Sequence, residues 1–104
     1  MSKYDYGWEK LYQGVRILTM EIPQRKRLVL AMSEIGRIRP DEHLPNKIVE
    51  EFNEFIAYIT SVPAKGDEGT IAATVNSLDD SEISEAIDKI IGFYDKVCRH
   101  SGPI

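Results

Sequence analysis

Between residues 48 and 62 the apolar side chains recur at steps of three and four, as Ile48, Val49, Phe52, Phe55, Ile56, Ile59 and Val62, with Lys47, Glu50, Glu51, Asn53 and Glu54 on the opposite side. An α-helix brings such positions onto one face, and that face has to be buried against something else. The same period runs through almost all of the chain, and no window shows the strict alternation of a half-buried strand. The expected architecture is therefore all-α, a compact single-domain bundle of four to five helices at about 4–18, 23–38, 45–62, 70–78 and 80–100. A length of 104 residues with 42% hydrophobic content suits one domain, 1–104, with its own core.

Punctuation residues set the helix ends. In the first helix Tyr4, Trp8, Leu11, Tyr12, Val15 and Leu18 form a stripe about 120° wide, with Ser2 or Asp5 available as a cap. It should stop near Thr19, because Pro23 pushes the residue before it away from helical geometry and itself suits the first turn of a second helix. That second helix points Leu28, Ala31, Met32, Ile35 and Ile38 at the core and ends around Gly36 and the "RP" beyond it. "RPDEHLPNK" reads as an irregular or single-turn link before Pro45 opens the third helix.

The stretch "VPAKGDEGTIAATV", 62–75, has the residue types of a phosphate loop but not their order. Such a loop follows a strand and places its lysine after the last glycine. Here Lys65 precedes Gly66, and Asp67 and Glu68 would repel an anion where backbone amides should attract one. A hinge fits better: Pro63 ends the third helix, Gly66 and Gly69 turn the chain, and Thr70 caps a short fourth helix facing the core with Ile71, Ala72, Val75 and Leu78.

Asp79 and Glu82 approximate a capping box at the start of the fifth helix, and Arg99, His100, Gly102 and Pro103 suit its end. Its apolar residues, from Ile83 to Cys98 and including Phe93, spread over about 160° of arc, more than one neighbour requires. Either the helix packs in a groove between two others or part of it dimerises. Gly14 and Gly92 each cost about 1 kcal/mol inside a helix and so ask for a reason. Gly14 beside the first core stripe permits a close crossing, and Gly92 on the polar face leaves room for another chain.

Charge is unevenly distributed. Residues 1–40 hold eight basic side chains against four acidic, a balance of +4, whereas 41–104 hold five against thirteen, a balance of −8, giving the net −4. The basic half either packs beside the acidic half or offers a surface to an acidic partner. Leu30 sharpens the second alternative: it lies about 160° from Leu28, among Lys26, Arg27, Glu34 and Arg37. The candidate partner-binding residues are Lys26, Arg27, Leu30 and Arg37, with Phe93 on the wide fifth helix.

No catalytic constellation emerges. His43 and His100 lack ligand-spaced companions, so no metal is expected, and no cofactor motif is present. Glu50, Glu51 and Glu54 read as a solvated acidic face, and the lone Cys98 as a small buried hydrophobe. No apolar stretch follows Lys3, and the longest apolar run, "LVLAM" at 28–32, is too short for a membrane span, so a cytoplasmic setting is expected. The chain looks broadly like other small bacterial helical proteins, a likeness that carries no activity and no residue. The expected function is a non-catalytic protein-interaction or regulatory module, binding a protein partner or itself. The alternatives are nucleic-acid association through "QRKR" and "GRIR", disfavoured by the net charge, and a small helical enzyme binding an anion through Arg16, Arg25, Arg27, Arg37 and Arg39.

Overall fold

In the computed structural model, which describes residues 3–101, the chain forms α1 (Asp5–Ile17), α2 (Gln24–Ile35), the single turn α3 (Pro40–His43), α4 (Asn46–Ile59), α5 (Gly69–Ser77) and α6 (Asp80–Ser101). The fold is all-α, with five substantial helices and no strand among the described residues. No helix among these residues is long and apolar enough to cross a membrane.

α1 packs on α2 and α6, α2 also packs on α5, α5 on α4, and α4 on α6. The five long helices thus close a ring around the core, and α3 ties α1 to α4. Leu28, Met32 and Ile35 of α2, Phe52 and Ile59 of α4, and Ile90, Phe93 and Val97 of α6 are all buried in this core. Burying a side chain of this size contributes about 1.5–3 kcal/mol.

The stripe of α1 is rotated by about 60° from the one its large apolar residues suggest. The buried positions are Gly7, Leu11, Gly14 and Leu18. Trp8, expected in the core, is 38% exposed, and Tyr12 is half-buried. The cause is steric. A Cβ at Gly14 would lie 2.6 Å from Ile35 Cδ1, and one at Gly7 would strike the carbonyl oxygen of His43. The two glycines let α2 and α3 close on α1, so the helix turns its smallest residues inward.

Several boundaries move inward by one to three residues. α4 ends at Ile59 because the hydroxyls of Thr60 and Ser61 donate to the carbonyls of Ile56 (2.7 Å) and Tyr58 (2.8 Å), closing its last turn. Pro23 and Pro45 occupy N-cap positions with extended ψ of 140° and 141°, one place before the helical turn expected of them. α1 opens with Tyr4 as N-cap, not Asp5; Ser2, Gly102 and Pro103 lie outside the described residues.

The hinge at 60–68 turns as expected but is pinned differently. α5 begins at Gly69, whose φ of 82° suits only glycine, and Thr70 lies inside the helix instead of capping it. The buried Thr74 hydroxyl donates to the carbonyl of Thr70 (2.7 Å) and accepts the Val62 N–H (2.9 Å), fastening the loop to α5. Glu68 accepts the Lys65 N–H at 3.0 Å, which lowers its pKa, so this carboxylate takes an amide that a phosphate loop would keep free. The capping box at α6 has both of its bonds: Glu82 N–H to Asp79 Oδ1 (2.8 Å) and Asp79 N–H to Glu82 Oε1 (2.9 Å).

Candidate interaction surfaces

α2 divides its side chains among three directions. Leu28, Ala31, Met32 and Ile35 face the core. On one flank Arg25 donates to the carbonyl of Val75 near the end of α5 (2.7 Å) and to Asp80 at the start of α6 (3.1 Å). On the other, Arg27 donates to the carbonyl of Leu18 at the end of α1 (2.6 Å), and Glu34 pairs with Lys10 at 3.2 Å. Each arginine therefore sits against the carbonyl end of a neighbouring helix, where a cation is stabilised.

This corrects the place expected for Arg27. It is half-buried, and its Nε is buried without a hydrogen-bond partner among the described residues, so it braces the α1–α2 turn and does not rim an outer surface. Of the remaining candidates, Lys26 and Leu30 lie with Ser33 on one line at steps of four and three directly opposite the core, and Arg37 lies in the turn after the helix. All four are exposed, Leu30 by 39%. The side chains of Lys26 and Arg37 make no hydrogen bond or ion pair among the described residues.

Phe93 requires a second correction. It is 1% exposed, edge-on to Phe52 at 5.3 Å between ring centroids and tilted against Phe55 at 5.7 Å. α4 covers it, because α6 lies between α1 and α4 and spends both flanks of its wide apolar arc on them. The large apolar residue of α6 left outside, among the described residues, is Ile91, 46% exposed. Towards α1, Tyr94 lies 6.3 Å from the ring of Trp8 and 6.2 Å from that of Tyr12, which stack on each other at 5.1 Å. Burial and a hydrogen bond with Cys98 push the Tyr94 hydroxyl to a higher pKa, and Cys98 is half-buried beside it, less enclosed than expected.

On its other side α6 meets α4 more loosely. A groove runs along this seam as two adjoining hollows of about 400 and 430 Å³ that share Glu51, Glu85 and Lys89. Its floor holds Phe55, Ala86 and Phe93, and its walls carry Glu51, Glu54, Glu82, Glu85 and Asp88 against two lysines. Glu51 takes up both lysines, at 2.5 Å from Lys96 and 3.2 Å from Lys89, and these hydrogen bonds hold its carboxyl below the usual range. Glu54, Glu85 and Asp88 form no hydrogen bond or ion pair among the described residues. Tyr58 at the groove's end registers the resulting field: its pKa is raised first by burial, then by Glu82, Glu85 and Asp79.

Sequence reading placed Glu51 and Glu54 on a solvated face and did not find this groove. Its two walls lie some thirty residues apart in the chain, so only the packing of α4 on α6 brings them together. Among the described residues no three His, Cys, Asp or Glu side chains converge as a metal cluster would. His43 is occupied locally, its Nδ1 accepting the Arg39 N–H at 2.9 Å and its ring tilted on Tyr6 at 4.4 Å. Of the five arginines considered for anion binding, Arg16 donates to Tyr12, Arg39 approaches Glu42 at 3.9 Å, and Arg25 and Arg27 hold carbonyls. No family model matches the chain, and neither a curated protein nor a solved structure matches it.

Proposed function

We propose that this protein is a small, non-catalytic protein-interaction module that offers the outer face of α2 to an acidic protein surface. The observation that carries the reading is Leu30, 39% exposed on the stripe opposite the core, with Lys26 and Arg37, cations without an ion pair among the described residues, on either side of it along the chain. A central apolar anchor inside a charged rim is the arrangement that gives protein interfaces affinity at the centre and orientation at the edge. Nucleic-acid binding is weakened by the fate of "QRKR": two of its three cations, Arg25 and Arg27, are turned inward onto carbonyls. Anion binding through clustered arginines is weakened in the same way.

The test is affinity capture from the host's lysate with wild type and with a Lys26→Glu, Leu30→Glu, Arg37→Glu variant checked for native helicity by circular dichroism. Proteins retained by the wild type and lost by the variant are expected. An identical set on both would remove α2 from recognition.

A further inference from the structure

The basic stripe and the acidic groove belong to the same chain, and the ring order of the helices sets where each one faces. α2 stands between α1 and α5 and also touches α6, with Arg25 on Asp80 at its start, while the α4–α6 seam closes the ring on the other side of the core. The molecule thus carries Lys26, Leu30 and Arg37 on one face and Glu54, Glu85 and Asp88 over an apolar floor on the far one. The groove is also long enough to take the stripe. From Lys26 to Arg37 the stripe runs about 16 Å and from Glu82 to Lys96 the groove runs about 21 Å, at 1.5 Å per residue.

From this juxtaposition we infer that the acidic partner of α2 is a second copy of the same chain, with Leu30 seated on the floor of the neighbour's α4–α6 groove. This rests on the reading of α2 as a recognition face and names what it recognises. Lys26 and Arg37 then reach Glu54, Glu85 and Asp88, which form no hydrogen bond or ion pair among the described residues, and Leu30 enters the hollow above Phe55 and Ala86, which are themselves only 5% and 2% exposed. Gly92 lines the same groove, and a Cβ there would meet nothing within 4 Å, so its small size leaves space that the chain itself does not use. Because donor face and acceptor groove lie on opposite sides, the contact is head-to-tail: a pair keeps one free stripe and one free groove between its two copies, and assembly grows with concentration instead of stopping at a dimer. The uneven charge of the sequence, +4 over residues 1–40 and −8 over 41–104, then has a use in assembly.

The experiment is sedimentation velocity over a wide concentration range, at low and at high salt. The wild type should show a weight-average mass that rises with concentration at low salt and falls back in high salt, where exposed charges are screened. The Lys26→Glu, Leu30→Glu, Arg37→Glu variant and a Glu54→Lys, Glu85→Lys variant should each be monomeric. Mixed, they should form a one-to-one dimer and nothing larger, because one intact stripe and one intact groove remain between them. A wild type that stays monomeric throughout overturns the inference and leaves the proposed function to the capture experiment. Association lost in the groove variant but kept in the stripe variant overturns both, since α2 would then not be the recognition face. Association lost in the stripe variant but kept in the groove variant overturns the inference alone.

Discussion

The α1–α2 seam and the α4–α6 seam use the same helical geometry and end in opposite states. The first is shut: Gly14 admits Ile35, Lys10 reaches Glu34, and Arg27 crosses to the carbonyl of Leu18. The second is open: Phe52, Phe55 and Phe93 fill its inner side, and its flanks carry long acidic side chains that gain more from water than from each other. Glycine at a contact sets helices close and three phenyl rings set them apart. The difference teaches that the core can be complete while one seam still presents a groove.

The most severe way to break the comparison is Phe93→Ala, which removes the ring that wedges α4 and α6. A loss of about 3–5 kcal/mol in urea unfolding is expected. Next comes Gly7→Ala, whose new methyl meets a backbone carbonyl that cannot step aside. It should cost about 1–3 kcal/mol by thermal unfolding, and Gly14→Ala should cost less, because its new methyl meets the side chain of Ile35 and not a backbone carbonyl. Gly92→Ala runs the other way: with nothing within 4 Å it should stabilise the chain by about 0.5–1 kcal/mol. The three alanines together separate a shut seam from an open one by the sign of the effect.

The smallest effect concerns Glu51. Its carboxyl is held below the usual range by Lys96 and Lys89, so its contribution is present above the unfolded-state pKa and is lost as pH falls through the lowered folded value. All three side chains are substantially exposed, which screens the pairing. Glu51→Gln should therefore cost less than about 1 kcal/mol at neutral pH, and the difference from wild type should vanish in acid and in molar salt.

The class of fold was legible because three- and four-residue spacing has one common solution, and the Asp79–Glu82 box was legible because both of its bonds are local. Leu30 was legible as an outer residue because its angle from Leu28 depends only on helix geometry. The register of α1 was not, because hydrophobicity gives Trp8 weight and gives none to Gly7, whose role appears only once α3 lies against it. Arg27 is a similar case: its charge reads as surface, and the carbonyl of Leu18 that draws it in is supplied by the turn between α1 and α2. Phe93 and the groove needed the packing of α4 on α6, information that no single helix contains.

The account's central claim is a division of labour within α2, in which Arg25 and Arg27 hold the fold and the stripe of Lys26, Leu30 and Arg37 is spared for recognition. Urea unfolding at a concentration low enough to keep the protein monomeric tests it most directly. The Lys26→Glu, Leu30→Glu, Arg37→Glu variant should unfold within about 0.5 kcal/mol of wild type, while Arg27→Met, which strips a charged donor from the carbonyl of Leu18, should lose about 1–2 kcal/mol. A stripe variant destabilised as much as Arg27→Met would return these residues to the fold and contradict the claim.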